Sequence, residues 1–288
     1  MFYVELLVVG LIQGCMYAMM ALGLTLVYGL LRILHVAHAG LFTLGAYVGV
    51  LAANAGLPIG AAALLAIAAA AAAGPLLYHV VYKPLLDKPP HVALIASIGV
   101  LIAMTDGFRL LFGPYGIPFE SNPWFVTGWN LGGVFLNAVQ VALAVAAIVL
   151  IGAFAVFATR SRMGVAWRAT VTDPAMAMTF GVDPGKVRNL NFAIASGLAA
   201  AAGVLVGLLN NLVEPGMGNI VAYKGLAIIV LGGLGNVPGT LLASLILGVA
   251  ESFGTIYLDA LLDRDAIAFL VLIVVLMWRP QGLLVRAR

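Results

Sequence analysis

Ionisable side chains are scarce in this chain, and the few set in apolar runs are its candidates for chemistry. Glu251 stands in LILGVAESFG. A carboxylate in such a run is costly and usually turns to the protein interior, where it can serve a solute pathway; otherwise it lies near the outer interface. Gln13 and Tyr17 are four residues apart and share one helix face. They either line a pathway or hold helices together through hydrogen bonds. Asp106 and Arg109 have the three-residue spacing of an internal ion pair, near the outer end of their segment. His35 and His38 have a metal-like spacing, but no carboxylate or thiol nearby completes a ligand set. A capping or hinge role near the cytoplasmic interface suits them better. No nucleophile–base pair and no H-E-x-x-H motif occurs, and Gly185-Lys186 lacks the flanking residues of a Walker A loop. No catalytic residue and no metal site is therefore assigned, and any nucleotide must be bound by another chain.

A second cluster is built for contact. Asp173-Pro174-Ala-Met-Ala-Met-Thr-Phe180-Gly181 begins with a helix-capping carboxylate and a proline suited to the first helical position. It ends with a glycine able to take the left-handed conformation. The spacing predicts about two turns of helix over 174–180, carrying Met176, Ala177, Met178 and Phe180. So short a helix is marginal alone in water. It either lies on the membrane surface or docks into a groove on a cytoplasmic partner, a mode that flexible Met and one aromatic suit. Arg160, Arg162, Arg168 and Arg188 flank it and could meet an acidic rim.

The elements that position these residues follow from composition. Of 288 residues 64% are hydrophobic and 9% charged, with a mean hydropathy of +1.13. Soluble domains carry roughly 25% charged residues. This chain cannot cover a water-facing surface, which excludes a soluble enzyme, a disordered protein and a nucleic-acid binder. It reads as an all-α polytopic membrane bundle. The single cysteine, Cys15, excludes an internal disulfide. The start, MFYVELLVVGLIQG, lacks a basic region and reads as a retained first span rather than a signal peptide.

Apolar runs predict spans near 6–30, 38–55, 58–80, 92–112, 137–158, 189–212 and 265–279. The stretch 222–257 is interrupted by GGLGNVPG at 232–239 and reads as two spans or a re-entrant hairpin, because such breaks need burial in protein. The total is about 8–9 membrane segments. Arg32, Lys83, Lys88, the five basic residues between 160 and 188, and Arg279, Arg286 and Arg288 fall on one side. By the positive-inside rule that side is the cytoplasm, with the N-terminus outside and the C-terminus inside. The loop at 113–136 holds Tyr115, Phe119, Trp124, Phe125 and Trp129, a composition that suits the outer interface. Gly10–Gly14, Gly45–Gly49 and Gly203–Gly207 have the spacing for close helix packing. No domain boundary is visible: 1–288 reads as one transmembrane domain with a cytoplasmic loop at 159–188.

The stretch GCMYAMMALGLTLVYGLLRILHVAHAGLFTLGAY resembles the opening of the branched-chain amino acid ABC transporter permeases. Further similarity lies in YKPLLDKPPHVALIASIGV at 82–100, DPAMAMTFGVD at 173–183, KGLAIIVLGGLGNVPGTLLASLILGVAE at 224–251 and WRPQGLL at 278–284. The matches run in family order from residue 14 to 284. Where the family has Asn-x-Ala-His-Gly, this chain has His35 and then Ala37-His38-Ala39, which places His38 among the candidate pathway residues with Gln13, Tyr17 and Glu251. The resemblance implies half of a pore in a bacterial plasma (inner) membrane, without a cofactor of its own. It implies a second permease chain, related or identical, two cytoplasmic ATP-binding subunits docked at the Asp173–Gly181 segment, and an extracytoplasmic binding protein. The substrate would be a branched-chain or other small amino acid, or, within the same family, urea, an amide or an aromatic acid. A self-contained secondary transporter is the competing class, since broken helices occur there too.

Overall fold

In the computed structural model, residues 2–120, 127–131, 134–257 and 264–284 are described. Eleven α-helices occur among them. They are α1 (Phe2–Leu31), α2 (His38–Asn54), α3 (Ile59–Leu77), α4 (Pro90–Phe112), α5 (Ala138–Arg160), α6 (Arg162–Thr172), α7 (Pro174–Thr179), α8 (Pro184–Asn210), α9 (Met217–Gly232), α10 (Val237–Tyr257) and α11 (Arg264–Trp278). Six are long and apolar enough to cross a membrane: α1, α3 with its extension to Leu85, α4, α5, α8 and α10. Helices are the natural outcome, since in lipid every backbone N–H and C=O must be satisfied within the segment.

Two helices form the centre. α1 and α8 are mostly buried, whereas α3, α4 and α5 turn most of their apolar surface outward. α1 packs on α10 and α8, and α8 packs on α2 and α3. Small residues make the closest of these contacts. A Cβ on Gly10 would lie 2.7 Å from the Val249 Cα, and one on Gly14 would lie 2.8 Å from the Leu245 Cα. Gly248 of α10 meets the main chain of α1 between the same two glycines. Gly45 abuts Ala200, and Gly203 abuts the Phe42 carbonyl. Gly10, Gly14, Gly45, Gly49 and Gly203 thus lie in helix seams, where close dispersion contact replaces the hydrophobic effect that lipid cannot supply, while Gly207 packs on Val213 and Phe119 outside the helices.

Helix ends follow local rules. Asn137 Oδ1 accepts from the N–H groups of Val139 and Gln140, and Gln140 Oε1 accepts from the Asn137 N–H at 3.0 Å, a complete capping box for α5. Asp183 caps α8 with its side chain alone, accepting from the Gly185 and Lys186 N–H groups. α3 carries Pro75 and passes into a π-turn at Tyr78–Tyr82.

The stretch 222–257 resolves into α9 and α10, with α9 starting earlier, at Met217. The turn between them uses Gly233 and Gly235 at φ of 98° and 77°, a region that disfavours any side chain. The tail covers this turn: the Leu283 N–H donates to the Leu231 carbonyl at 2.8 Å, and Asn236 Nδ2 donates to the Leu284 carbonyl at 2.7 Å. A short hairpin, Gly128–Leu131 paired antiparallel with Val134–Asn137, interrupts an otherwise all-α architecture. It belongs to the loop before α5, which is tied to the bundle by an Ile117–Val213 bridge and by Asn54 Nδ2 donating to the Pro118 carbonyl at 3.0 Å. Phe119 of this loop is buried and Tyr115 exposed. Trp124 and Phe125 lie outside the described residues.

Candidate functional site

Three of the four pathway candidates meet. Tyr17 lies midway along α1, about 22 Å from either end. Its hydroxyl donates to Glu251 Oε2 of α10 at 2.6 Å. It accepts from Gln13 Nε2 at 3.0 Å and from Lys224 Nζ of α9 at 3.1 Å. A phenol can donate one bond and accept two, so this hydroxyl is saturated. Lys224 Nζ also lies 3.1 Å from Glu251 Oε1, with 5% and 0% of the two side chains exposed. A lone charge at this depth would be prohibitive; the pair and its hydrogen bonds offset the desolvation of both ions.

Above this cluster opens a cavity of about 320 Å³. That is at the small end of ligand-binding cavities. Its walls are mostly apolar, among them Ile12, Met16, Met20, Phe42, Leu143 and Val221. Gln13, Tyr17 and Lys224 form its polar floor, while Gln140 and Asn210 line it from helix ends and Glu214 from the connection between α8 and α9. Met217, at the start of α9, is seven residues from Lys224, so the cavity extends about 10 Å along that helix. Glu251 stands behind the floor and is not part of the lining. The arrangement can hold one small solute with an apolar body against the walls and a polar group against the floor.

His38 is elsewhere. Its ring is fully buried, its Nε2 lies 3.2 Å from the Met20 carbonyl, and it packs against Gly23 of α1. His35 meets the Tyr82 hydroxyl and the Phe192 ring. These contacts tie the α1–α2 connection to α3 and α8. Among the described residues no group of three or more His, Cys, Asp or Glu could hold a metal. Asp106 and Arg109 form their ion pair at 3.2 Å, but both side chains are more than half exposed, so the pair lies on the surface of α4. Sequence reasoning missed Lys224, which opens the apolar run KGLAIIV. A lone lysine there, so far from the basic loops, was the available signal.

The Asp173–Gly181 segment folds as its spacing predicts. Asp173 Oδ1 accepts from the Met176 N–H at 3.0 Å, and Pro174 occupies the first turn of α7. Gly181 has φ of 81°. The Val182 N–H donates to the Ala177 carbonyl and the Gly181 N–H to the Met178 carbonyl, a Schellman ending. Ala177 is buried, whereas Met176, Met178 and Phe180 are exposed, Phe180 by 81%. α6 was not anticipated. Ser161 caps it by accepting from the Gly164 N–H at 2.8 Å. Trp167 on α6 then donates from Nε1 to Asn191 Oδ1 of α8 at 2.9 Å.

Comparison with known proteins places the sequence in a family. Residues 6–277 match the family described as branched-chain amino acid transport system / permease component. The high-affinity branched-chain amino acid transport system permease protein BraD of Pseudomonas aeruginosa is 34% identical, over 99% of this chain and 96% of its own length. LivH of Escherichia coli K12, of the same description, is 31% identical over 99% and 96%. LivM of the same organism is 28% identical over 94% of this chain and 68% of its own length. No solved structure matches. With six described helices long and apolar enough to cross a membrane and a family match over nearly its whole length, this chain is a multi-pass membrane protein and belongs to the permease components of branched-chain amino acid transport systems.

Proposed function

We propose that this chain is one permease subunit of an ATP-driven importer for branched-chain or other small amino acids. The observation that carries the reading is the apolar cavity with its Gln13–Tyr17–Lys224 floor midway along α1. An aliphatic side chain suits the walls, and the polar end of an amino acid suits the floor. The names of BraD and LivH support this substrate class. Glu251 holds Lys224 and Tyr17 in place from behind.

The whole chain acts as one membrane domain with nine crossings, α1 to α5 and α8 to α11, which sets its termini on opposite sides. Contacts between helix ends support this alternation. The α9–α10 turn meets Gly29 at the end of α1 and the C-terminal tail, and these share one end of the bundle with the basic residues of 160–188. That end is cytoplasmic by the positive-inside rule. The end of the cavity lined by Gln140, Asn210 and Glu214 is then the extracytoplasmic one, where a binding protein delivers substrate.

α7 docks on an ATP-binding subunit through Met176, Met178 and Phe180, and ATP hydrolysis resides on that subunit. A second permease completes the pore. Escherichia coli has both LivH and LivM, and this chain resembles each, which favours a related partner over an identical one. The test is a gentle detergent pull-down of tagged protein with mass spectrometry, followed by uptake competition among leucine, phenylalanine and urea. Recovery of an ATPase and a second permease, with uptake competed by leucine, is expected. Recovery of this chain alone, moving substrate in ATP-free vesicles, would make it a secondary transporter.

A further inference from the structure

The cytoplasmic end of the bundle contains a buried polar connection that substrate binding does not use. α6 is folded tightly back on α5: a Cβ on Gly164 would lie 2.7 Å from the Ala158 Cα. Three residues on, and on the same face, Trp167 sets its ring edge-to-face against Phe154, with centroids 5.7 Å apart. Its Nε1 donates to Asn191 Oδ1 at 2.9 Å, and Asn191 Nδ2 donates to the carbonyl of Leu26 at 3.1 Å. Asn191 is 3% exposed and Leu26 is 1% exposed.

The chemistry allows only one arrangement. An indole N–H can only donate and a backbone carbonyl can only accept, so the amide between them has one orientation. Leu22, Leu26, Phe154, Ala158 and Leu198 enclose it in one apolar cluster, with Trp167 packed against them. Asp173 alone separates α6 from the exposed helix α7. At the other end, Leu26 is nine residues from Tyr17 on the same helix, about 13 Å along its axis.

We infer that Trp167, Asn191 and the Leu26 carbonyl form the strut through which movement of α6–α7 reaches α1 and the Tyr17–Lys224–Glu251 cluster. The inference rests on the reading that α7 docks on an ATPase. Trp167 and Asn191 are positioning residues, since neither lines the cavity or touches the docking face.

The test uses the whole complex in proteoliposomes, with its ATPase subunits and binding protein. Retained ATPase, ATP turnover and leucine uptake are measured for Trp167→Phe, Asn191→Leu, the double variant and Asn191→Gln. Trp167→Phe keeps an aromatic ring on the Phe154 side and removes the donor together with the second ring of the indole. It and Asn191→Leu are expected to retain the ATPase while uptake per ATP falls about tenfold, the kinetic equivalent of one net hydrogen bond. The double variant should fall no further, because both changes break one chain of contacts. Asn191→Gln should recover part of the loss. Unchanged uptake per ATP in Trp167→Phe overturns the strut, and that variant decides alone if Asn191→Leu does not fold. Loss of the ATPase from Trp167→Phe assigns the contact to docking and also overturns it. A wild-type chain that retains no ATPase refutes the docking reading itself, and the strut falls with it.

Discussion

Removing one member of the Lys224–Glu251 pair should cost more than removing both. Lys224→Met keeps the length of the side chain and strips Glu251 of its counter-ion, leaving the carboxylate with Tyr17. Breaking a buried pair from one side costs about 3–5 kcal/mol. Glu251→Leu strands the ammonium instead and should cost a similar amount. In the double variant neither charge remains. The residual loss is then the Tyr17 hydroxyl, which keeps Gln13 as a donor but no longer has an acceptor, a penalty of about 1–3 kcal/mol. For a chain of this size, 1 kcal/mol corresponds to roughly 2–4 °C in melting temperature. Each single variant should therefore melt about 10 °C below wild type, and the double about 5 °C below. Thermal unfolding in detergent, followed by tryptophan fluorescence, reads all four proteins. If the double variant drops by the sum of the two singles, the side chains are energetically independent and the ion pair is not what holds this site together.

Three further outcomes are expected. Phe180→Asp should leave the melting temperature within about 1 °C, since the ring is exposed and surface changes are small, yet the ATPase should no longer co-purify; retained ATPase removes the docking role. Gly235→Val forces a branched side chain into φ of 77°, with its Cβ 3.3 Å from the Gly29 Cα, and should lower uptake at least tenfold in correctly inserted protein. Normal uptake would mean that the α9–α10 turn tolerates rearrangement. Trp129→Cys in a Cys15→Ser background should react with an impermeant maleimide on intact cells, because this side chain is half exposed in the loop before α5; labelling only after permeabilisation would invert the topology.

The helices were legible because lipid leaves apolar segments little choice. The run 92–112 becomes Pro90–Phe112 and 137–158 becomes Ala138–Arg160, since length and hydrophobicity alone decide them. The Asp173–Gly181 helix was legible for another reason: capping carboxylate, first-turn proline and terminal glycine are local signals that need no tertiary context. Lys224 was not, because its partner Glu251 lies 27 residues on and Tyr17 lies 207 residues back. Only packing of α9 against both α1 and α10 brings them together. His38 shows the converse. Its motif pointed to a pathway, while burial against α1 makes it part of the helix packing. The hairpin before α5 had one available sign, the Gly-Gly dipeptide at 132–133 between short apolar runs.

The glycine seam between α1 and α10 also limits how the subunit can move. Main chain lies directly on main chain at Gly10, Gly14 and Gly248, with no compressible layer of side chains between. Beyond the seam, Ser252 Oγ donates to the Leu6 carbonyl at 2.8 Å, and at the opposite end Thr25 and Thr240 share a hydrogen bond of 2.8 Å. Two helices fastened along such a length behave as one beam. Tyr17 and Glu251 both ride on that beam, so their spacing should be the same in every state of a transport cycle. Lys224 belongs to α9, joined to the beam through a turn of left-handed glycines. Of the three groups it alone lies off the beam, so a shift of α9 would carry its ammonium away from both partners.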